Sequence, residues 1–233
     1  MTKTDVMALL RSNRNERGIK NWKKMEADTK GLKSFGIGLT QLRKLAKQIG
    51  RNHTLALQLW ETNNHDAKII GLLIDEPKRL SREQVEKQVE EVDVGMLEYV
   101  FSSCDATLAR APFVFDLTCN WIQSNDPRRR RCGYGLVYEL SKNQKMQDLT
   151  DQFFFDCIEG IRENFDKENT WGRMSMGGAL MGIGKRNKKL NKAAVRLARK
   201  LGPIDFNDNK GNCEPFDIVK HLTSDYLKKK LGT

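Results

Sequence analysis

The sequence predicts an all-α protein built of stacked helical repeats, and three observations carry that expectation. Nearly every segment reads as a helix of ordinary length closed by a polar or glycine-containing turn, strand-like alternation is almost absent, and three of the helices open with the same local chemistry.

In chain order, Met1-Thr-Lys-Thr runs through Asp5 into a short amphipathic stretch. Thr40 is placed to cap a segment with Leu42, Leu45, Ala46 and Ile49 on one face, and Gly50 stops it. Leu55, Leu57, Leu59 and Trp60 belong to the next helix. Asp66 is expected to open one carrying Ile69, Ile70, Leu72, Leu73 and Ile74, halted before Pro77. Ser81-Arg-Glu-Gln84 then supplies a serine cap with glutamine at the third helical position. Further helices are expected at 94–103, 107–123, 127–142, 148–165, 171–184, 187–201 and 215–230. The three similar openings are Asn64-His-Asp-Ala-Lys68, Asp126-Pro-Arg-Arg-Arg130 and Thr170-Trp-Gly-Arg173. Each has a polar capping residue, a basic residue in the first turn, then Gly71, Gly133 or Gly177, a recurrence that marks helix-pair repeats. The most irregular stretch, Gly202 to Cys213, lies too near the C-terminus to separate two domains, so residues 1–233 read as one.

The formal net charge of +11 and pI near 9.5 give the surface a positive field, which makes nucleic acid the leading partner class over a merely solubilising lysine coat. Sign is also segregated. Arg128, Arg129, Arg130 and Arg131 fill the first turns of the helix beginning at Pro127, where the helix dipole favours anions. A second run, Lys185, Arg186, Lys188, Lys189, Lys192, Arg196, Arg199 and Lys200, contains no acid. There Lys188, Lys192, Arg196 and Arg199 share one helix face, while Leu190, Ala193, Ala194 and Leu197 turn inward. The acids gather instead at Glu83, Glu86, Glu90, Glu91, Asp93 and Glu98. Such separation suits a surface that holds phosphates.

Other chemistries find no support in the motifs. Gly178-Ala-Leu-Met-Gly-Ile-Gly184-Lys185-Arg186 has alanine at position 179 where a phosphate loop needs glycine, and Arg186 stands where a magnesium-binding hydroxyl belongs. Gly36-Ile-Gly38 has Gln41 in place of a third glycine and follows no strand. Both glycine clusters read as close helix contacts and turns, and no nucleotide cofactor is expected. His53, His65 and His221 lie far apart, so no metal is expected. Cys104, Cys119, Cys132, Cys157 and Cys213 contain no C-x-x-C pair and are odd in number, which argues against disulfides and zinc and for a reducing, cytosolic setting. No apolar run reaches the ~18 residues of a membrane span.

Asn52-His-Thr-Leu-Ala-Leu-Gln-Leu-Trp60-Glu-Thr-Asn-Asn-His65-Asp66-Ala-Lys68 resembles the DNA alkylation repair family, HEAT-like helical-repeat proteins related to alkylpurine DNA glycosylases. Phe35 to Lys47, Trp121 to Arg131 and Gly178 to Asn187 extend the resemblance over about residues 20 to 225. It implies a HEAT-like solenoid, an α-α superhelix whose basic concave face cradles duplex DNA as a monomer without cofactors. By position in the motif, Asp105 matches the family's catalytic aspartate and Arg131 the arginine that grips the backbone nearby. Asp105 could equally cap the helix beginning near Ala106. One tryptophan of the active pattern falls at Phe101, four residues before Asp105 and so expected on the same helix face; the other falls at Gly178, with Trp171 or Tyr134 as neighbouring rings. The expected DNA contacts are therefore Phe101, Arg128, Arg130, Arg131, Arg173, Lys185, Arg186, Lys188, Lys189 and Lys192, with Asp105 catalytic. Three functions follow: an alkylpurine DNA glycosylase, a non-catalytic binder of damaged or branched DNA, favoured by Gly178, and a protein-interaction scaffold.

Overall fold

The computed structural model describes residues 1–24, 29–205 and 214–232. Among these the chain is helical without a strand; Lys33 with Asn64 and Ile204 with Phe216 form isolated bridges. Part of the irregular stretch, residues 206–213 with Cys213, lies outside the described residues. Two compact units make up the chain, Met1–Val114 and Phe115–Thr233.

The first unit contains α1 (Lys3–Ser12), α2 (Glu16–Lys24), α3 (Leu39–Ile49), α4 (His53–Trp60), α5 (His65–Ile74), α6 (Arg82–Gln88) and α7 (Leu97–Ser102). Its centre is α5, buried in all but Leu73 and packed between α3 and α4. Gly71 makes this possible, since a Cβ there would stand 2.9 Å from the Ala56 carbonyl of α4. Asn64, not Asp66, caps α5, its side chain accepting from Ala67 N at 3.0 Å. The Asp66 carboxylate, 1% exposed, serves elsewhere. It accepts from Ser34 Oγ at 2.7 Å, Phe35 N at 2.7 Å and Ile37 N at 3.1 Å, tying the segment before α3 to the central helix.

The second unit contains α8 (Val114–Ile122), α9 (Pro127–Ser141), α10 (Asp151–Asn164), α11 (Thr170–Gly184), α12 (Lys188–Leu201), α13 (Ile218–Leu222) and α14 (Asp225–Leu231). Helices α9 and α11 lie side by side and parallel. At one end Glu168, just before α11, meets Arg130 in the first turn of α9 at 2.5 Å; at the other, a Cβ on Gly182 would run into Ser141 Oγ. Gly133 likewise admits the backbone of Ile122, 2.8 Å from where its Cβ would be.

Several boundaries differ from expectation for local reasons. Gly38 precedes α3 without a side-chain cap, so Thr40 lies inside its first turn. The helix expected at 94–103 starts only at Leu97, after Gly95 with φ of +56°. That at 107–123 breaks into a 3₁₀ turn, Thr107–Arg110, and α8, because Pro112 holds Ala111 extended at ψ 145°. That at 215–230 splits where Thr223 Oγ1 takes the Val219 carbonyl at 2.8 Å and Ser224 Oγ that of His221 at 3.2 Å. Gln84 donates to Asp75 at 2.8 Å rather than closing a capping box with Ser81.

His65 connects fold to pH. Its ring lies 4.5 Å from that of Trp22, and its Nε2 accepts from Met96 N at 3.1 Å, which requires the neutral form. Burial lowers its pKa to about 4 against the opposing pull of Asp66. As pH falls below ~6.5 the unfolded chain therefore takes up a proton first, and folding stability falls by up to ~1.4 kcal/mol per pH unit until pH about 4. Urea unfolding of wild type and His65→Gln across pH 7 to 4.5 measures this, the variant lacking that part of the slope.

Candidate nucleic-acid interface

A helix leaves its last four carbonyls without an internal partner, and a cation placed there satisfies both the hydrogen bonds and the dipole. Among the described residues, Lys68, Arg51, Arg173, Arg186 and Lys188 do so, and Arg43 and Arg130 reach the carbonyl two residues past a helix end. In the first unit, Lys68 Nζ donates to Trp60 O at the end of α4 at 2.5 Å and pairs with Glu91 at 2.9 Å. Arg51 Nη1 donates to Leu73 O at the end of α5 at 3.0 Å, to Asp75 O and to Thr107 Oγ1 at 2.9 Å. Arg43 Nη2 donates to Cys104 O beyond α7 at 3.1 Å and also meets its Sγ.

The second unit repeats the device with residues expected to touch DNA. Arg130 donates to Ser124 O beyond α8 at 2.8 Å and to Glu168 at 2.5 Å. Arg173 donates to Phe165 O at 3.1 Å and Asp166 O at 2.9 Å, beyond α10. Arg186 Nη1 donates at 2.8 Å to both Ser141 O and Asn143 O at the end of α9, with its guanidinium 4.3 Å from the Phe154 ring. These three hold neighbouring helices together, so each of these side chains has a packing role in the fold. Each pair of first-turn cation and preceding helix end recurs at Lys68, Arg130 and Arg173, so the similar openings seen in the sequence are packing chemistry.

Arg128 and Arg129 share Asp126, the cap of α9, at 3.4 and 2.7 Å. Burial disfavours the Asp126 carboxylate, but the backbone and side-chain hydrogen bonds of Arg128 and Arg129 outweigh it and leave the pKa below the ordinary value. Arg131 is half-buried in the same turn. Cations remain outward on α12, where Lys188, Lys189, Lys192, Arg196, Arg199 and Lys200 are exposed while Leu190, Ala194 and Leu197 are buried. Lys188 Nζ also reaches Gly232 O at 3.3 Å, bringing the lysines of α14 to the start of α12. Lys185 is half-buried there, its pKa lowered by burial and then by Lys230 and Lys142.

Asp105 lies on the turn after α7, outside any helix. It is exposed, and with Cys104 it adopts left-handed backbone angles, φ +63° and +56°. Ala106 stands at the cap position of the following 3₁₀ turn and forms no side-chain cap bond, so Asp105 is not its N-cap. Two consecutive non-glycine residues in this region cost of order 1–2 kcal/mol each, and such strain survives where surroundings enforce it. Here Arg43 holds the Cys104 carbonyl and Arg51 holds Thr107. Phe101 does not flank the carboxylate on a shared helix face, because α7 ends at Ser102; its ring is 3% exposed and belongs to the core. Gly178 is half-buried, with nothing within 4 Å of a Cβ built there. Of the neighbouring rings, Tyr134 is 2% exposed and Trp171 58%. Sequence reasoning missed Arg43 and Arg51, whose partners lie 61 and 56 residues away.

Residues 6–204 match the model of a family described as DNA alkylation repair enzyme. The uncharacterized proteins Lin0241 of Listeria innocua and Lmo0209 of Listeria monocytogenes are 24% and 23% identical over 197 residues, 81% of this chain and of each relative. A solved structure described as "a new family of proteins related to the HEAT-like repeat DNA glycosylases with affinity for branched DNA structures" superposes with a TM-score of 0.82 at 22% identity, covering all of this chain and 97% of its own. The fold is accordingly a HEAT-like helical repeat.

The two classes of cation separate by experiment. Arg186→Met removes the donor from two helix-end carbonyls and lowers folding stability by about 2–4 kcal/mol, read as a drop in melting temperature. Lys192→Gln, on the exposed side of α12, changes stability by less than about 0.5 kcal/mol in the same melting measurement.

Proposed function

From the premise that the chain belongs to the DNA alkylation repair enzyme family, we propose that it binds duplex DNA through the outward cations of α12 and excises alkylated purines with Asp105. The observation that carries the catalytic half is the pinned, strained turn that presents an exposed carboxylate. Neither Cys104 nor Asp105 is a glycine, and a turn serving only connection has no need of both in the left-handed region.

The chemistry suits one carboxylate. An N-alkylated purine already carries positive charge, so its glycosidic C–N bond is weakened. As that bond breaks, its electron pair leaves with the base and the sugar acquires oxocarbenium character. A carboxylate close to the sugar stabilises that charge or holds the water that adds to the anomeric carbon. Neither a metal nor a nucleotide enters the balance.

A second reading, a non-catalytic binder of branched or damaged DNA, is favoured by the buried ring of Phe101 and the open side of Gly178, each of which removes an aromatic wall for a cationic base. The structurally similar protein with affinity for branched DNA supports it too.

Release of methylated purine from alkylated duplex DNA by wild type and Asp105→Asn decides between them. Asparagine tolerates left-handed angles, so the turn is expected to persist. The first reading predicts a loss of release on the order of 100-fold or more in the variant with duplex binding retained. Binding by wild type without release establishes the second, and equal release by both proteins removes Asp105 from the chemistry.

A further inference from the structure

Three of the four tryptophans are accounted for by the fold. Trp121 is 2% exposed and Trp60 3%, with the Lys68 ammonium 4.4 Å from the Trp60 ring. Trp22 donates from Nε1 to Leu32 O at 2.9 Å and packs on His65. Trp171, the second residue of α11, is instead 58% exposed. A tryptophan there gives the helix less than alanine would, and most of a side chain able to bury ~200 Å² remains in water.

Its surroundings are cationic. The parallel packing of α9 and α11 sets their first turns side by side: the Glu168 carboxylate bonds Arg130 and lies against Gly172, the residue after Trp171. That end of the pair carries Arg128, Arg129, Arg130, Arg131 and Arg173, with Lys167 just before α11, against the carboxylates of Asp126, Asp166 and Glu168. Arg173 donates to neutral carbonyls, so its charge is not cancelled by them. Along the same face of α11, at helical spacing, follow Ser175 and Gly178, small residues that leave the surface beside the indole low.

An exposed aromatic face beside excess guanidinium charge complements a nucleotide, whose base offers a π-face and whose phosphate offers the anion. Within an intact duplex both faces of each base are covered by its neighbours. We propose that Trp171 is a stacking platform for an unpaired nucleobase at a gap, flap or branch point in DNA, with the net positive charge left where Arg128 and Arg129 share the single carboxylate of Asp126 attracting the adjoining phosphate. The proposal rests on the DNA-binding reading and gives it a preferred structure.

The test compares wild type, Trp171→Ala and Trp171→Phe on a labelled duplex and on the same duplex with a short single-stranded gap, at one salt concentration, with indole fluorescence recorded in parallel. Wild type is expected to favour the gapped DNA and to show fluorescence quenching with it. Trp171→Ala is expected to reduce the gapped-to-intact affinity ratio by about 5- to 100-fold and to lose the quenching, while Trp171→Phe restores most of the ratio. An unchanged ratio in Trp171→Ala, with intact-duplex binding by wild type preserved, overturns this proposal and leaves DNA binding standing. Binding of neither DNA by wild type removes both. Quenching by an acidic peptide but not by gapped DNA assigns the platform to a protein partner and overturns the proposal as well.

Discussion

The constraint behind the arrangement is the unsatisfied C-terminal end of each helix. Short helices spend a large share of their carbonyls on this end, and buried carbonyls without donors are costly. Here a lysine or arginine from a different helix or loop reaches those carbonyls, so one side chain both completes a helix end and fixes the packing of its neighbour. Lys68, Arg51, Arg186 and Arg173 do this for α4, α5, α9 and α10, while Arg43 and Arg130 hold the carbonyls of the turns just after α7 and α8. The basic composition therefore serves two purposes. One set of cations is consumed inside the repeats, and another, on α12 and α14, faces solvent.

The same device shapes the candidate catalytic turn. Arg43 and Arg51 brace the segment that carries Cys104 and Asp105, and left-handed angles at two such residues persist because the flanking backbone is fixed. A backbone held this way fixes where the Asp105 side chain emerges, which contributes to the preorganisation an electrostatic catalyst needs. The buried carboxylate of Asp66 works in the opposite sense: three donors consume it, and it anchors structure rather than chemistry.

Helix positions were largely legible in the sequence, because apolar spacing and the caps at Ser81 and Asp126 are local, although the caps expected at Thr40 and Asp66 fall instead at Gly38 and Asn64. Gly182 was also legible as a close helix contact, whereas Gly178, from the same cluster, faces open space; Gly71 and Gly133, read only as small residues recurring in the helix openings, prove to be close contacts as well. What a cation does was not legible. Arg186 and Lys192 belong to one basic run, yet the first bonds carbonyls more than 40 residues earlier and the second is exposed. The end of α7 at Ser102 was likewise hidden, since no proline or glycine marks it, and with it went the idea that Phe101 and Asp105 share a face.

The central claim is that outward cations grip DNA phosphates, and the dependence of duplex affinity on salt tests it most directly. Six such side chains lie on α12 alone, Lys188, Lys189, Lys192, Arg196, Arg199 and Lys200. If each neutralises a phosphate, affinity falls ~10³-fold or more between 50 and 200 mM salt through counterion release. An affinity that changes less than about threefold over that range contradicts the account and leaves the helical-repeat fold without its proposed partner.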